Sequence, residues 1–360
     1  MTDLTSLLIA LSDIPGPSGF EHDVRKRMEV ELSPYADEFK TDGIGSLIAK
    51  RLGPKDSPKV MISAHMDEVG LMVRYVTTEG YVKVQTLGGW LDQALIGQKW
   101  QILTSQGPVL GVSGIKTPHV MSMEERSRLI KKDQIFLDVG ASTKDEAQET
   151  LGIKPGDPIS PYTKAELLNK DNILLGKAWD DRAGLAVMVG TLRKLKNIRL
   201  PCTLYSVSTV QEEVGLRGAH TSSYSVSPDI GINLESGVSG DYPGISQDEA
   251  QERLGDGPAI FLHDSSMLPN TKLRDVAVQT AKEIGINLQY NVLSGYGQDG
   301  AEIQKTKEGC PVINITVPTR YLHSHNSVID INDVSKAIEL TAALIEKMDQ
   351  KTVSWLRTFE

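Results

Sequence analysis

Five apolar runs in this 360-residue chain end in side chains able to do chemistry. "KVMISA" ends in His65 and Asp67, and "NILLGKAW" in Asp180 and Asp181. "CTLYSVSTVQ" ends in Glu212 and Glu213, and "DIGINL" in Glu235. "PVINITVPTRYL" runs out at His323, followed by His325. Singly, each has an ordinary explanation. A histidine after a strand is commonly a surface or hydrogen-bonded residue, and paired acids commonly cap or open the next helix, as "DDRAG" does. Together they are harder to explain that way, because six acids gathered at one sheet edge repel unless cations neutralise them. Two imidazoles among several carboxylates form a nitrogen and oxygen donor set suited to zinc, cobalt or manganese. The pattern points to a metal centre.

Such residues need a frame that gathers them, and open α/β sheets do so outside the carboxyl ends of their strands. The opening "MTDLTSLLIALSDIPG" has the Leu4, Leu7, Leu8, Leu11 spacing of an amphipathic helix ended by Pro15 and Gly16. "SGFE" (Ser18 to Glu21) has the form of a capping box, predicting a helix through Val24, Met28 and Val30. "TDGIGSLIAKRLG" predicts a turn at Asp42-Gly43 and a strand, with "KVMISAH" as the next strand. From Gly70 the texture changes to alternating strands around turns, as in "LMVRYVTTEGYVKVQTL" and "WQILTSQGPVLGVSGI". Helical periodicity is nearly absent before "STKDEAQETLG". After Tyr162 strands and helices alternate again, through "DDRAGLAVMVGTLRKLK" and "LPNTKLRDVAVQTAKEIG" to the closing helix "VSKAIELTAALIEKM". The expected fold is α/β, a mixed sheet flanked by helices over residues 1–69 and 163–360, interrupted by a small all-β domain over 70–162.

Composition narrows the function. The net charge of −9 has no long block of either sign, which speaks against a nucleic-acid partner, since a polyanion needs a basic footprint. No run approaches the roughly 20 apolar residues of a membrane span, and the start lacks a basic leader region. Two cysteines, Cys202 and Cys310, are too few for a disulfide framework, so a reduced, cytoplasmic protein is expected.

The ordered motifs "AHMDEVG", "KAWDDRAG", "QEEVGLRGA", "NLES" and "RYLHS", with "PGPSGFE" and "LGGW", resemble the TET and glutamyl-aminopeptidase family of dinuclear metallopeptidases over nearly the whole chain. The resemblance implies that His65 and Glu235 bind one divalent ion and Glu213 and His323 the other, with Asp180 bridging and a cis peptide just after it. Glu212 would be the general base, and the Asp67 carboxylate would hydrogen-bond the far nitrogen of His65. The implied activity is release of amino-terminal residues from short peptides with a free amine. Two ions per subunit, zinc or cobalt with manganese as a further candidate, would serve it. A tetrahedral dodecamer is implied as well, the inserted domain being barrel-like and making subunit contacts.

Some residues depart from the family pattern. Many relatives have aspartate where Glu235 stands, and "GYGQDGAE" carries Gln298 where close relatives have threonine, so the family's acidic amino-terminal preference does not transfer automatically. Arg320 and Lys177 either meet an acidic side chain or brace nearby carboxylates. Glu68 reads as a solvated or loop-stabilising acid, and His325 as exposed or behind the ligands. Three rival functions are a di-metal deacylase of small N-acyl substrates, a glycan hydrolase, and a non-catalytic peptide-binding protein. The long interval between His65 and Asp180 disfavours the first, two ligand histidines the second, and the presence of Glu212 the third.

Overall fold

The computed structural model describes residues 3–359. Helices α1 (Asp3–Asp13) and α2 (His22–Leu32) lead into strands β1 (Glu38–Thr41), β2 (Leu47–Arg51) and β3 (Lys59–His65). The next six strands, β4 (Gly70–Val76), β5 (Val82–Leu87), β6 (Lys99–Thr104), β7 (Gly107–Gly114), β8 (Phe136–Asp138) and β9 (Pro158–Pro161), close into an antiparallel barrel in the order β4-β5-β8-β7-β6-β9. A short helix, α3 (Met123–Ser127), lies in the long β7–β8 connection. The chain then returns to the main sheet through β10 (Glu166–Leu167) and β11 (Ile173–Gly176). Helix α4 (Trp179–Leu195) precedes β12 (Thr203–Thr209), and α5 (Arg217–Val226) precedes β13 (Ile230–Val238). The remainder is β14 (Ala259–His263), α6 (Thr271–Glu283), β15 (Gln289–Val292), α7 (Gly300–Gln304), β16 (Val312–Arg320), β17 (Ser327–Asp330), α8 (Ile331–Glu346) and α9 (Gln350–Leu356).

The fold is mixed α/β. Its eleven-stranded sheet runs β1-β2-β12-β3-β13-β16-β17-β11-β10, with β14 and β15 attached at β16. β3 pairs in parallel with β12 and β13, and β13 with β16. Two antiparallel steps, through β17, give β11 the same direction. The strands that lead into the five chemical stretches therefore all end at one edge. These strands are aliphatic because both faces are covered: Val60, Ile62, Leu204, Ile232 and Ile315 pack with α1, α4 and α8 on one side, and Met61, Val207 and Val312 with Ala219 of α5 and Ala301 of α7 on the other. The barrel has a separate core around Leu71, Val73, Trp100, Ile102 and Ile159. Among the described residues no helix is long and apolar enough to cross a membrane.

Two local expectations fail for one reason. Ser18 does not cap α2, whose cap residue Glu21 has no capping side chain. The Ser18 hydroxyl instead donates to Asp67 at 2.7 Å, and a Glu21 oxygen accepts from the amides of Gly19 and Gln211. Both side chains are drawn to the strand ends, where buried partners outweigh a local cap. The helix through Val24, Met28 and Val30 does form, with Val24 and Met28 buried and Val30 exposed.

Of the two readings of Glu68, the loop-stabilising one holds and the solvated one fails. Glu68 is fully buried, gripped by Lys177 Nζ at 2.7 and 2.8 Å, and it also accepts from Ser160 Oγ and the Gly16 amide. This one carboxylate ties the α1–α2 loop, the last barrel strand and the approach to α4. Removing one partner strands a buried charge, whereas removing both does not. Lys177→Met is expected to lower stability in urea unfolding by about 3–5 kcal/mol. The Glu68→Gln/Lys177→Met double variant is expected to recover most of that loss.

Candidate metal centre

The parallel strands bring the expected residues together. His65 closes β3, Glu235 lies within β13, and Asp180 sits at the start of α4 in non-helical backbone (φ −82°, ψ 101°) followed by a cis peptide to Asp181. Glu212 and Glu213 follow β12, and His323 follows β16 with φ +53°. Ala178, Gln211 and Leu216 are also left-handed, so the site's loops hold several non-glycine residues in a sparsely populated conformation.

The geometry divides into two halves around one carboxylate. His65 Nε2 lies 3.0 Å from Asp180 Oδ1 and 3.6 Å from Glu235 Oε1. His323 Nε2 lies 3.3 Å from Asp180 Oδ2 and 3.3 Å from Glu213 Oε2. Each oxygen of Asp180 thus faces a different histidine, each with its own glutamate. Both imidazoles are oriented by acceptors that cannot donate. His65 Nδ1 donates to the Asp67 carbonyl at 3.0 Å, and His323 Nδ1 donates to the Gly89 carbonyl at 2.7 Å. With Nδ1–H committed to these carbonyls, Nε2 is the nitrogen of each ring that faces the cluster, donating to Asp180 while the ring is charged and offering a lone pair once that proton leaves.

The Asp67 carboxylate is not the short partner of His65 that the sequence suggests, since its Oδ1 is 3.5 Å from Nδ1. It accepts instead from Ser18 Oγ at 2.7 Å, Glu212 N–H at 2.9 Å and Glu213 N–H at 3.1 Å. With Glu21 on the Gln211 amide, two buried carboxylates hold three successive amides. This clamp sets where Glu212 and Glu213 point. Asp181 lies within 4.8 Å of His65 and Glu235, but its oxygens accept from the His65 and Gly184 amides, making it a brace.

The electrostatics fit a cation site. Burial pushes Glu235 up to about 8 against the opposing pull of His65. Burial likewise raises Glu212 well above the usual carboxylate range, His65 opposing and Glu235 and Glu213 adding to the rise. Asp180 is held well below that range, because hydrogen bonds from His323 and His65 outweigh burial. His65 and His323 rise well above ordinary histidine although burial opposes it, their leading partners being Glu235 and Glu213 respectively. Glu213 Oε1 and Glu235 Oε2 are buried without any hydrogen-bond partner. A buried oxygen that lacks a donor is costly unless something else neutralises it. The donor set, the converging Nε2 atoms and these two orphaned oxygens fit divalent cations.

Other residues fall outside the cluster. Arg320 is paired in two-pronged fashion with Asp241 at 2.8 and 2.6 Å, and Lys177 with Glu68, so neither braces the cluster's carboxylates. His325 is buried rather than exposed, its ring 4.2 Å from that of Trp100 and 5.7 Å from that of Trp90. Gln298 is fully buried, donating to Asp264 at 2.9 Å, and only its neighbours Gly295 to Gly297 reach the cavity. Asp264 caps its own turn through Ser266 and Met267.

A model of the M42 glutamyl aminopeptidases matches residues 45–340. The lysyl aminopeptidase of Pyrococcus furiosus is 34% identical over 345 residues, covering 95% of this chain and 96% of that one. A TET aminopeptidase from a marine-sediment Thaumarchaeota archaeon superposes with a TM-score of 0.96 at 39% identity, covering 98% of both chains. The TET1 peptidase of Pyrococcus horikoshii, described as assembling into a tetrahedron or a large octahedral shell, gives 0.86 at 30% identity, over 96% of this chain and all of that one.

Proposed function

The chain belongs to the M42 glutamyl aminopeptidase family, metallo-aminopeptidases that hydrolyse peptides, and on that premise we propose which residues carry the reaction here. His65 and Glu235 would hold one divalent ion and Glu213 and His323 a second, with Asp180 offering one carboxylate oxygen to each half. The observation that carries this assignment is the division of Asp180, with Oδ1 toward His65 and Oδ2 toward His323. When bound, a pair of such ions supplies Lewis acidity toward the peptide carbonyl and lowers the pKa of water. Imidazole and carboxylate donors suit zinc or cobalt, with manganese also compatible.

Glu212 is the proton carrier. Its side chain is buried, reaches the cavity and stands 3.8 Å from His65 Nε2, while its amide is anchored on Asp67. It takes a proton from the attacking water, and the water oxygen adds to the carbonyl carbon. It then passes the proton to the departing amine nitrogen as the C–N bond breaks. Glu213 is held by the same clamp but turned toward His323, which keeps it as a ligand. Asp67 and Glu21 act as positioning residues, by fixing the backbone of 211–213.

The substrates in this reading are short peptides with a free amino terminus. The working form is a homo-oligomer, a tetrahedral dodecamer by analogy with TET1 structures described as a dodecamer and as a tetrahedron. The site of action is the cytoplasm, a reading supported by the free, buried Cys202 and Cys310. The test uses peptides and their N-acetylated twins, after chelation and again with zinc, cobalt or manganese restored. Ion-dependent cleavage of the free-amine set alone is the expected result. Preference for the acetylated twins would move the chemistry to deacylation.

A further inference from the structure

The cavity above the carboxylate cluster has a volume of about 260 Å³ and carries an unexpected message about substrate choice. Beyond the cluster it is lined by Gly89, Leu216, Gly295, Tyr296 and Gly297. No lysine or arginine lines it among the described residues. The two cations that the sequence offers nearby are engaged elsewhere, Arg320 by Asp241 and Lys177 by Glu68. An acidic side chain entering the cavity would lose water and find no counter-charge, which disfavours it.

A basic side chain fares no better. Of the carboxylates lining the cavity, Asp180, Glu213 and Glu235 belong to the ions in the reading above and Glu212 to proton transfer, and Asp241 is already paired with Arg320 on both of its oxygens. Nor does Tyr296 offer a polar handle, because its hydroxyl donates to the Ser236 carbonyl at 2.6 Å and its ring packs edge-on against Phe261 at 5.0 Å. What remains toward the cavity is the carbon surface of Leu216 and Tyr296, with room left by three glycines. Such a wall gains from apolar contact and gives nothing to charge.

Resting on the aminopeptidase reading, we infer that this enzyme prefers peptides whose first residue has an uncharged side chain over both acidic and basic ones, with Leu216 and Tyr296 as the contacting walls. The family takes its name from glutamyl substrates, and the Pyrococcus furiosus relative takes its name from lysyl ones. Among the described residues lining this cavity, neither side chain finds a free partner.

The experiment compares kcat/KM of the metal-loaded enzyme on X-Ala-Ala peptides, with leucine, methionine, glutamate, aspartate, lysine and arginine at X. Leucine and methionine are expected to exceed every charged residue by roughly tenfold or more. In Leu216→Arg the glutamate-to-leucine ratio is expected to rise by roughly tenfold, and a ratio within one variant does not depend on how much of it folds. Should that variant be inactive, Leu216→Ala takes its place, with an expected selective loss on leucine peptides relative to alanine peptides. Equal rates across the panel, or a leading rate for glutamate or lysine, overturns the inference while leaving the aminopeptidase intact. Unchanged ratios in the Leu216 variants remove Leu216 as a contact. No cleavage of any free-amine peptide with any ion overturns the aminopeptidase reading, and this inference with it.

Discussion

Glu212→Gln is expected to lower kcat by roughly 10²- to 10⁴-fold, the range associated with a positioned general acid–base group. The amide has nearly the shape of the carboxylate, and the position of residue 212 is set by its backbone N–H on Asp67 rather than by its side chain. The five proposed ligands are other residues, so bound metal per subunit and melting temperature should match the parent. Only proton transfer is removed. Equal metal content with lost turnover is therefore the signature, read by elemental analysis beside steady-state kinetics. A variant that keeps activity within a fewfold of the parent would take the base away from Glu212.

The second large effect is on stability, after ion removal and as a function of pH. In the ion-free protein the groups raised by folding include Glu235 at about 8, with Glu212, Glu213 and Asp181 also above the normal carboxylate value. A group whose folded pKa lies above its unfolded one binds more protons when folded, so its stabilising contribution is full below the unfolded value and fades as pH rises. His65 and His323, also raised, act in the same direction above pH 6.5. Asp180 and Asp67 are lowered and act oppositely, but their contribution is lost only on acidification below about pH 4. Between pH 5 and 8 the raised groups dominate. Chelated protein should therefore lose stability steadily over that window, by a few kcal/mol in all, since a tenfold change in proton affinity is worth about 1.4 kcal/mol. Adding back divalent ion should restore it most at the alkaline end. Thermal melts at half-unit pH steps, with and without chelator, measure both slopes; a flat chelated curve would mean that the cluster does not carry uncompensated charge.

Much of this was legible because chemistry and strand ends coincide along the chain. An aliphatic run that stops at a histidine or paired acids is a strong local signal, and parallel order turns such signals into one site. The inserted all-β unit was visible through its alternation, and Trp100 belongs to its core. What escaped were groups whose role is set by long-range packing. Glu68 looks like any loop acid until Lys177, more than a hundred residues later, meets it. Ser18 and Glu21 spell a helix cap, and only the fold reveals that Asp67 and Gln211 compete for them. Gln298 lies in a stretch associated with substrate, yet its side chain turns inward to Asp264. The Gly89 carbonyl could not be read at all, since a backbone oxygen carries no residue signature.

That carbonyl changes how the inserted barrel should be regarded. Gly89 lies in the barrel segment between β5 and β6, and it holds the ring of a histidine whose own strand belongs to the main sheet. The barrel is therefore no detachable accessory. A truncated chain that kept every proposed ligand would still leave His323 free to swivel. A barrel borrowed from a relative would serve only if its equivalent loop met that ring at the same height. In any graft the short glycine loop must stay with the histidine.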